Sequence, residues 1–313
     1  MNEAEPSPRR GDSLPWRATV ALSCLLGALP TAAAAQELVP AAYTPAPVGI
    51  NLITLTAGVS SGDLSFDPSL PIEDASASIT AWSVNYGRTF GLLGRASTLT
   101  LIAPYVVGDL EGRYIGEQTS VERSGLADAI VRLGVNLSGA PAMDRQAFSS
   151  YRPGTLIGAS LFVRLPTGEY DPSKLINIGT NRWGFKPEVG IVQVVGKWAF
   201  DAYVGGWFFT DNSDFYGGRT RSQEAILSTE VHVRYFMARN FWAALDGNFW
   251  RGGTTSVDGV ANDDLQRNSR AGLTVAWQVA PQHGLRLAGS FGAFTRIGGD
   301  FTSIGLSYSY TWM

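Results

Sequence analysis

Charged and aromatic side chains recur at every second position along several stretches of this 313-residue chain. That spacing is the pattern in the chain best able to support chemistry. Asp128 and Arg132, Phe162 and Arg164, and Arg182, Lys186 and Glu188 fall on the more polar face of such stretches. So do Asp201, Tyr203 and Trp207; Glu230, His232 and Arg234; Trp242 and Asp246; and Arg270. Phe209, Glu224, Trp250, Arg286, Phe294 and Arg296 read onto the same faces. A period of two places alternate side chains on one side of a strand. Turned inward round a barrel, a face of this kind has two readings. It is a mixed-sign lumen, richer in arginine, that attracts and orients solutes, or it is a ladder of ion pairs in which each buried charge finds a partner. The aromatic members either stack a flat ligand or fill the interior.

Other chemistries find little support. The chain has two histidines, His232 and His283, and one cysteine, Cys24. No nucleophile elbow, phosphate loop or His-pair metal motif is present, so no catalytic, cofactor or metal residue is expected. A barrel lipase needs a serine beside a histidine on the outer wall, whereas His232 is read as pointing inward between Glu230 and Arg234. The chain is therefore expected not to be an enzyme. Net charge is -3, lysines are confined to Lys174, Lys186 and Lys197, and no basic run occurs. Nucleic acid is excluded as a partner on that footing.

The elements that must position these residues begin after a leader. Residues 1–17 carry Arg9, Arg10 and Arg17, residues 18–29 are apolar, and Ala33-Ala34-Ala35 supplies a small-x-small site. That order predicts a cleaved secretory signal over 1–35. The apolar run spans only about 18 Å as a helix, too short for a hydrocarbon core. Residues 36–49 read as a lead-in segment, and 50–313 as the barrel. Cys24 lies in the leader, so the exported chain carries no cysteine, which suits an oxidising periplasm.

From residue 50 onward period-two alternation predicts twelve strands, at about 50–60, 76–90, 96–107, 126–138, 155–165, 182–195, 198–210, 223–236, 241–251, 269–279, 285–297 and 301–312. Most exceed the five or six residues of a globular strand and are long enough to cross a membrane when tilted. Gly196-Lys197 and Gly298-Gly299 read as two-residue hairpin loops, across which the polar face must change parity, as it does. The other face carries Trp198, Tyr235, Phe241, Trp277, Tyr310 and Trp312 near one set of turns, and Trp183, Phe185, Phe208 and Phe249 near the other. Two aromatic girdles about an apolar band suit a lipid-facing wall. The expected fold is an all-β, transmembrane, antiparallel up-and-down barrel of about 12 strands in the outer membrane of a Gram-negative bacterium. Its partners are then outer-membrane lipid and a small-molecule solute. Long connectors at 108–124, 166–181, 211–222 and 252–268 face outward. In the second, Glu169, Tyr170, Asp171, Lys174 and Asn177 form a candidate extracellular mouth loop, with ordinary turn chemistry as the alternative. The ending Tyr308-Ser309-Tyr310-Thr311-Trp312-Met313 is similar to the last-strand signal read by the outer-membrane assembly machinery, with Met313 a departure from it.

Several segments resemble the MetA-pathway of phenol degradation family of outer-membrane transporters. They include Ala41-Ala-Tyr43-Thr-Pro45-Ala-Pro47-Val-Gly49-Ile-Asn51, Gly125-Leu-Ala-Asp128, and Asn136-Leu-Ser-Gly139-Ala-Pro141-Ala-Met143. Pro166-Thr-Gly168-Glu-Tyr170-Asp171-Pro-Ser-Lys174 and Asn177-Ile-Gly179-Thr-Asn181-Arg182-Trp183-Gly-Phe185-Lys186-Pro187-Glu188 are the longest. Asn268-Ser-Arg270-Ala-Gly272 and Thr295-Arg296-Ile-Gly298-Gly-Asp300-Phe301 complete the match. The resemblance implies a barrel associated with uptake of phenol-like compounds and carries over no catalytic residue. The competing reading is a structural barrel without solute flux.

Overall fold

A computed structural model describes residues 38–65, 72–114 and 116–313; the expected signal segment lies outside the described residues. The strands are β1 Asn51–Ser65, β2 Ile72–Leu92, β3 Arg95–Tyr114, β4 Glu117–Leu126, β5 Ile130–Ser138, β6 Thr155–Arg164, β7 Gly184–Val195, β8 Trp198–Phe209, β9 Asn212–Phe215, β10 Arg219–Gln223, β11 Ile226–Ala238, β12 Phe241–Gly252, β13 Thr255–Val257, β14 Val260–Ala261, β15 Gln266–Ala280, β16 His283–Phe294 and β17 Gly298–Trp312. One helix, α1 Arg145–Ser150, interrupts them among the described residues. Neighbours in the main sheet pair antiparallel in chain order, and β17 returns to β1 from Asn51↔Trp312 to Ser65↔Gly298. The result is a closed twelve-stranded barrel, in which β4 extends the wall position of β5 along the outer part of β3.

Side-chain alternation is inverted relative to a water-soluble sheet. In β7, Gly184, Lys186, Glu188, Gly190 and Val192 are buried while Phe185, Val189 and Ile191 face out. Val204, Leu227, Val231, Leu245, Leu273 and Leu306 are likewise exposed. In water such a surface is an association hazard, whereas against lipid it is the favoured side. The outward rings cluster at the two rims. Trp198 and Tyr235 lie 4.7 Å apart at one rim, and Trp183 and Phe185 lie 6.3 Å apart at the other. A closed wall with this belt is an outer-membrane barrel.

Turns follow local chemistry on the short-loop side. Gly196 takes φ +60° between the paired Val195 and Trp198, the glycine-first hairpin that strand twist favours. Leu93 and Gly94 both take positive φ between Leu92 and Arg95, with Leu93 fully in solvent.

Four expectations are corrected. Residues 108–124 are not a loop: β3 and β4 continue as a paired ribbon to Tyr114↔Glu117. Both faces of that ribbon meet water, so the alternation that marks a strand fades although pairing persists. The connectors at 211–222 and 252–268 contain a separate small sheet ordered β14-β13-β10-β9. Gly298-Gly299 is not the turn. Those residues pair with Ser65 and Leu64, and the chain reverses at 295–297. Finally, Glu224 is exposed between β10 and β11, and Phe294 faces out. Phe294 pairs with Ser269 but Gly292 with Arg270. That bulge inserts one residue and reverses the parity beyond it.

Because Val231 sits near the middle of β11 and is 57% exposed, Val231→Arg should lower stability by about 2–4 kcal/mol. Urea unfolding in lipid bilayers would read the shift, and a Val231→Leu control should leave it unmoved.

Candidate functional site: the filled lumen

Inward positions of β7, β8, β11 and β12 bring a belt of charge to one level of the lumen. Lys186 Nζ lies 2.9 Å from Glu188 Oε2 and 3.5 Å from Glu230 Oε1. His232 Nδ1 is 2.7 Å from Asp246 Oδ1, and its Nε2 is 3.5 Å from Glu230 Oε2. Arg234 Nη2 donates to Asp201 Oδ1 at 2.9 Å, and Thr274 Oγ1 donates to Asp246 Oδ2 at 2.7 Å. These groups are almost wholly buried. Four carboxylates here face Lys186, Arg234 and His232, so at this level the lumen is not rich in cations. Charges buried so deeply persist only when paired, and the network supplies the pairs.

The belt also holds a segment that sequence reading treated only as a lead-in. Residues 38–49 run inside the barrel. Val39 N donates to Glu230 Oε2 at 3.3 Å, Ala41 N to Asp201 Oδ2 at 2.9 Å, and Ala42 N to the Tyr203 hydroxyl at 3.1 Å. The Tyr43 hydroxyl donates to Glu188 Oε1 at 2.9 Å, and Arg132 Nη2 donates to Ala42 O at 3.1 Å. Residues 40–43 form a turn there, with Ala41 at φ +72° and Thr44 N donating to Ala41 O at 3.1 Å. Backbone buried in the lumen must have its amides satisfied, and wall side chains satisfy those of Val39, Ala41 and Ala42. Tyr43 packs edge-on to Tyr203, centroids 5.3 Å apart. Its ring occupies a slot made by two inward glycines. A Cβ on Gly158 would lie 2.0 Å from the ring, and one on Gly190 would lie 2.4 Å from it. Nearer the short-loop end, Val48 N donates to Met143 O at 2.8 Å, and Ala46 packs with Met143 and Phe148. Asp144 caps α1 there by accepting from Ala147 N.

At the opposite end Phe162, Trp207, Ile226 and Trp250 form a buried cluster. Cations lie over its rings: Arg132 and Lys186 over Phe162 (5.2 and 4.8 Å), Arg164 over Trp207 (4.9 Å) and Arg182 over Phe209 (4.5 Å). Trp242 instead packs with Ala244 and Ala276 near the short-loop end. Arg270 Nη2 donates to Phe301 O at 2.6 Å. Asp128 ties the mouth loop down by accepting from Gly168 N, Thr180 N and Thr180 Oγ1. The loop doubles back so tightly that a Cβ on Gly168 would lie 2.6 Å from Gly179 Cα.

Within that loop Glu169 N donates to Leu126 O, and the Tyr170 hydroxyl to Asp214 O. Asn177 Oδ1 accepts from Asp171 N, and Lys174 pairs with Asp171 at 3.2 Å. The Ser173 hydroxyl and amide, with Lys174, hold the Asp171 carboxyl at about 2. These five residues are thus occupied with one another and with neighbouring loops.

A family profile described as "Putative MetA-pathway of phenol degradation" matches residues 60–310. The chain belongs to that family. An outer membrane channel from Pseudomonas putida F1 has a similar fold: TM-score 0.71 at 19% identity, covering 85% of this chain and 96% of that one. The transport unit of the autotransporter AIDA-I from Escherichia coli aligns at TM-score 0.51 and 10% identity, covering 94% and 96%. No curated protein matches the sequence.

In this member of the phenol-degradation family, the lumen filling was readable only in one respect. Inward glycines at 158 and 190, on adjacent strands whose other inward residues are large or polar, leave a gap that something must fill. Nothing local tied Tyr43 to it.

Two outcomes follow. Asp201→Asn removes the anionic partner of buried Arg234 and should cost about 3–5 kcal/mol, read as a lowered urea midpoint. A carboxyl depressed in the folded state stabilises above its unfolded value and loses that contribution as pH falls. The loop closure at Asp171 should therefore weaken between pH 3.8 and about 2, followed by the NMR shift of the Ser173 amide.

Proposed function

We propose that this protein is a gated outer-membrane channel for small apolar or aromatic, phenol-like solutes, opened by withdrawal of residues 38–49 from the lumen. The observation that carries the reading is how that segment is held. Its grip consists of side-chain bonds to its backbone and one ring in a glycine slot, not strand pairing. At its inner end it adds backbone bonds from Val48 to Met143 and Gly49 to Thr89, with Ala46 packed on Met143 and Phe148. Each such bond contributes about 0.5–1.5 kcal/mol net, up to about 3 when charged. The segment can therefore leave while the wall keeps its ladder.

The solute path in this reading runs past Phe162, Trp207 and the overlying arginines, then along the belt from Lys186 to Asp246. Asp128, Arg132, Arg164, Arg182, Glu188, Asp201, Tyr203, Glu230, His232, Arg234, Trp242 and Arg270 complete the proposed lining. The loop of Glu169, Tyr170, Asp171, Lys174 and Asn177 forms its outer rim. Membership of a phenol-degradation family supports an aromatic cargo, and the likeness to the Pseudomonas outer membrane channel supports flux. The C-terminal strand, alternating Tyr308, Tyr310 and Trp312, would be the segment read by the assembly machinery. A structural barrel without flux is the second reading, favoured by how fully the belt is paired.

The test is solute entry into proteoliposomes loaded with a dye that phenol or toluene quenches, with a small sugar as control. Entry of the aromatic alone supports the channel. Tyr43→Ala and Gly158→Leu, which weaken or crowd the seat of the ring, should raise that entry several-fold. No entry in wild type or either folded variant would leave the structural barrel.

A further inference from the structure

Two arginines stand on the lipid side of the wall where it ends at a long connector. Arg251 holds the last outward position of β12, and Arg267 the first outward position of β15. They are paired directly across the two strands. Both are exposed, while the adjacent Trp250 and Asn268 point inward and are buried. Neither guanidinium has an acid, ring or carbonyl partner among the described residues. Directly opposed side chains on one face have Cβ atoms about 4.5–5.5 Å apart, and like charges set so destabilise a sheet. No wall acid relieves the repulsion from the other side, where Arg251 faces Leu227.

One step toward the membrane the outward row is aromatic. Ser269 pairs with Phe249 on β12 and with Phe294 on β16, and these rings are 40% and 55% exposed. Deeper still, Ala271 has the exposed Phe291 across from it, and Leu245 pairs with Leu273. Ser269 and Ala271 are small enough to leave a shallow track between the rings, along which an acyl chain can lie. Aromatic rows in a barrel wall sit at headgroup depth, so the arginines just beyond them stand level with the charged groups of the lipid. Long connectors mark the extracellular end of bacterial barrels, which sets the pair in the outer leaflet. Guanidinium donors match phosphate oxygens in a bidentate fork, and two from adjacent strands can close on one phosphate. Two other opposed pairs toward this end are acidic, Asp63 with Asp300 and Asp109 with Glu122. A phosphate is therefore drawn to one sector of the rim.

We propose that Arg251 and Arg267 form a binding site for a phosphorylated glycolipid of the outer leaflet, its phosphate between the two guanidiniums and an acyl chain along Ser269 and Ala271. The site is independent of whether the lumen passes solute.

Diphosphorylated lipid A is titrated into the folded protein in neutral detergent and read by native mass spectrometry. Dephosphorylated lipid A, phosphatidylethanolamine and inorganic phosphate are the comparators. The diphosphorylated lipid should bind at least about tenfold more tightly than each of them, since charge-assisted bonds and chain contact act together. Combining Arg251→Gln with Arg267→Gln should weaken it about tenfold, to the level of the dephosphorylated lipid. Arg239→Gln, in the turn between β11 and β12 at the opposite rim, should leave it unchanged. Heat-modifiable migration checks that each variant has folded, and the wild-type ranking stands without them. Equal binding of dephosphorylated lipid A or phosphatidylethanolamine, or a folded double variant that keeps full affinity, overturns the proposal. So does inorganic phosphate binding as tightly as the lipid, which would make the pair a site for the free anion.

Discussion

Every backbone amide and carbonyl of the wall must find a partner within the sheet, because hydrocarbon offers none and each unmet group costs several kcal/mol. Closure through the fifteen paired positions of β1 and β17 meets that demand. Once the sheet is closed, outward residues have only lipid to face and inward residues only each other or solvent. The apolar belt of Val189, Val231 and Leu245, and the buried polarity of Lys186, Glu230 and Asp246, are two sides of one constraint.

A closed wall creates an interior that must itself be accounted for. At the level of His232 the account is electrostatic: Lys186 and Arg234 meet the carboxylates of Glu188, Glu230 and Asp201, and His232 meets Asp246. Space left by Gly158 and Gly190 is taken by Tyr43, whose segment returns its own backbone donors to the same carboxylates. One set of acids thus holds both the wall cations and the segment that fills the lumen. The seating of that segment and the pairing of the charge belt therefore depend on the same Glu230 and Asp201 carboxylates.

The lumen is not uniform along its axis. Carboxylates dominate where the N-terminal segment sits, while Arg164, Arg182 and Arg221 gather at the long-loop end beside Trp207 and Phe209. An excess of arginine counted over the whole inner face is thereby sorted into levels. Read from the outer end inward, the lumen presents cation and ring first and acid later.

Much of the wall was legible in the chain itself. Residues such as Lys186, Glu188, Asp201, Tyr203 and Trp207 could be set on one face, because a period of two is enforced wherever one side meets lipid and the other does not. The same rule explains the misses. Where both faces meet water, as along β3 and β4 beyond the belt, alternation carries no information and a ribbon looks like a loop. Where one residue is inserted, as next to Phe294, parity counted along the chain gives the wrong side. What the lumen contains was decided only by tertiary structure. Tyr43 reaches Glu188 across 145 positions of sequence, and Arg182 meets Phe209 and Gln223 on other strands. Contacts of that span depend on the diameter and register of the closed barrel, which the sequence encodes collectively and not in any local pattern. The sequence by itself therefore determined which residues face in and which face lipid, since that follows from local alternation. Only the tertiary structure decided which inward groups meet, because strand register and the seating of residues 38–49 bring together partners far apart in the chain, as in Tyr43 with Glu188 and Arg234 with Asp201.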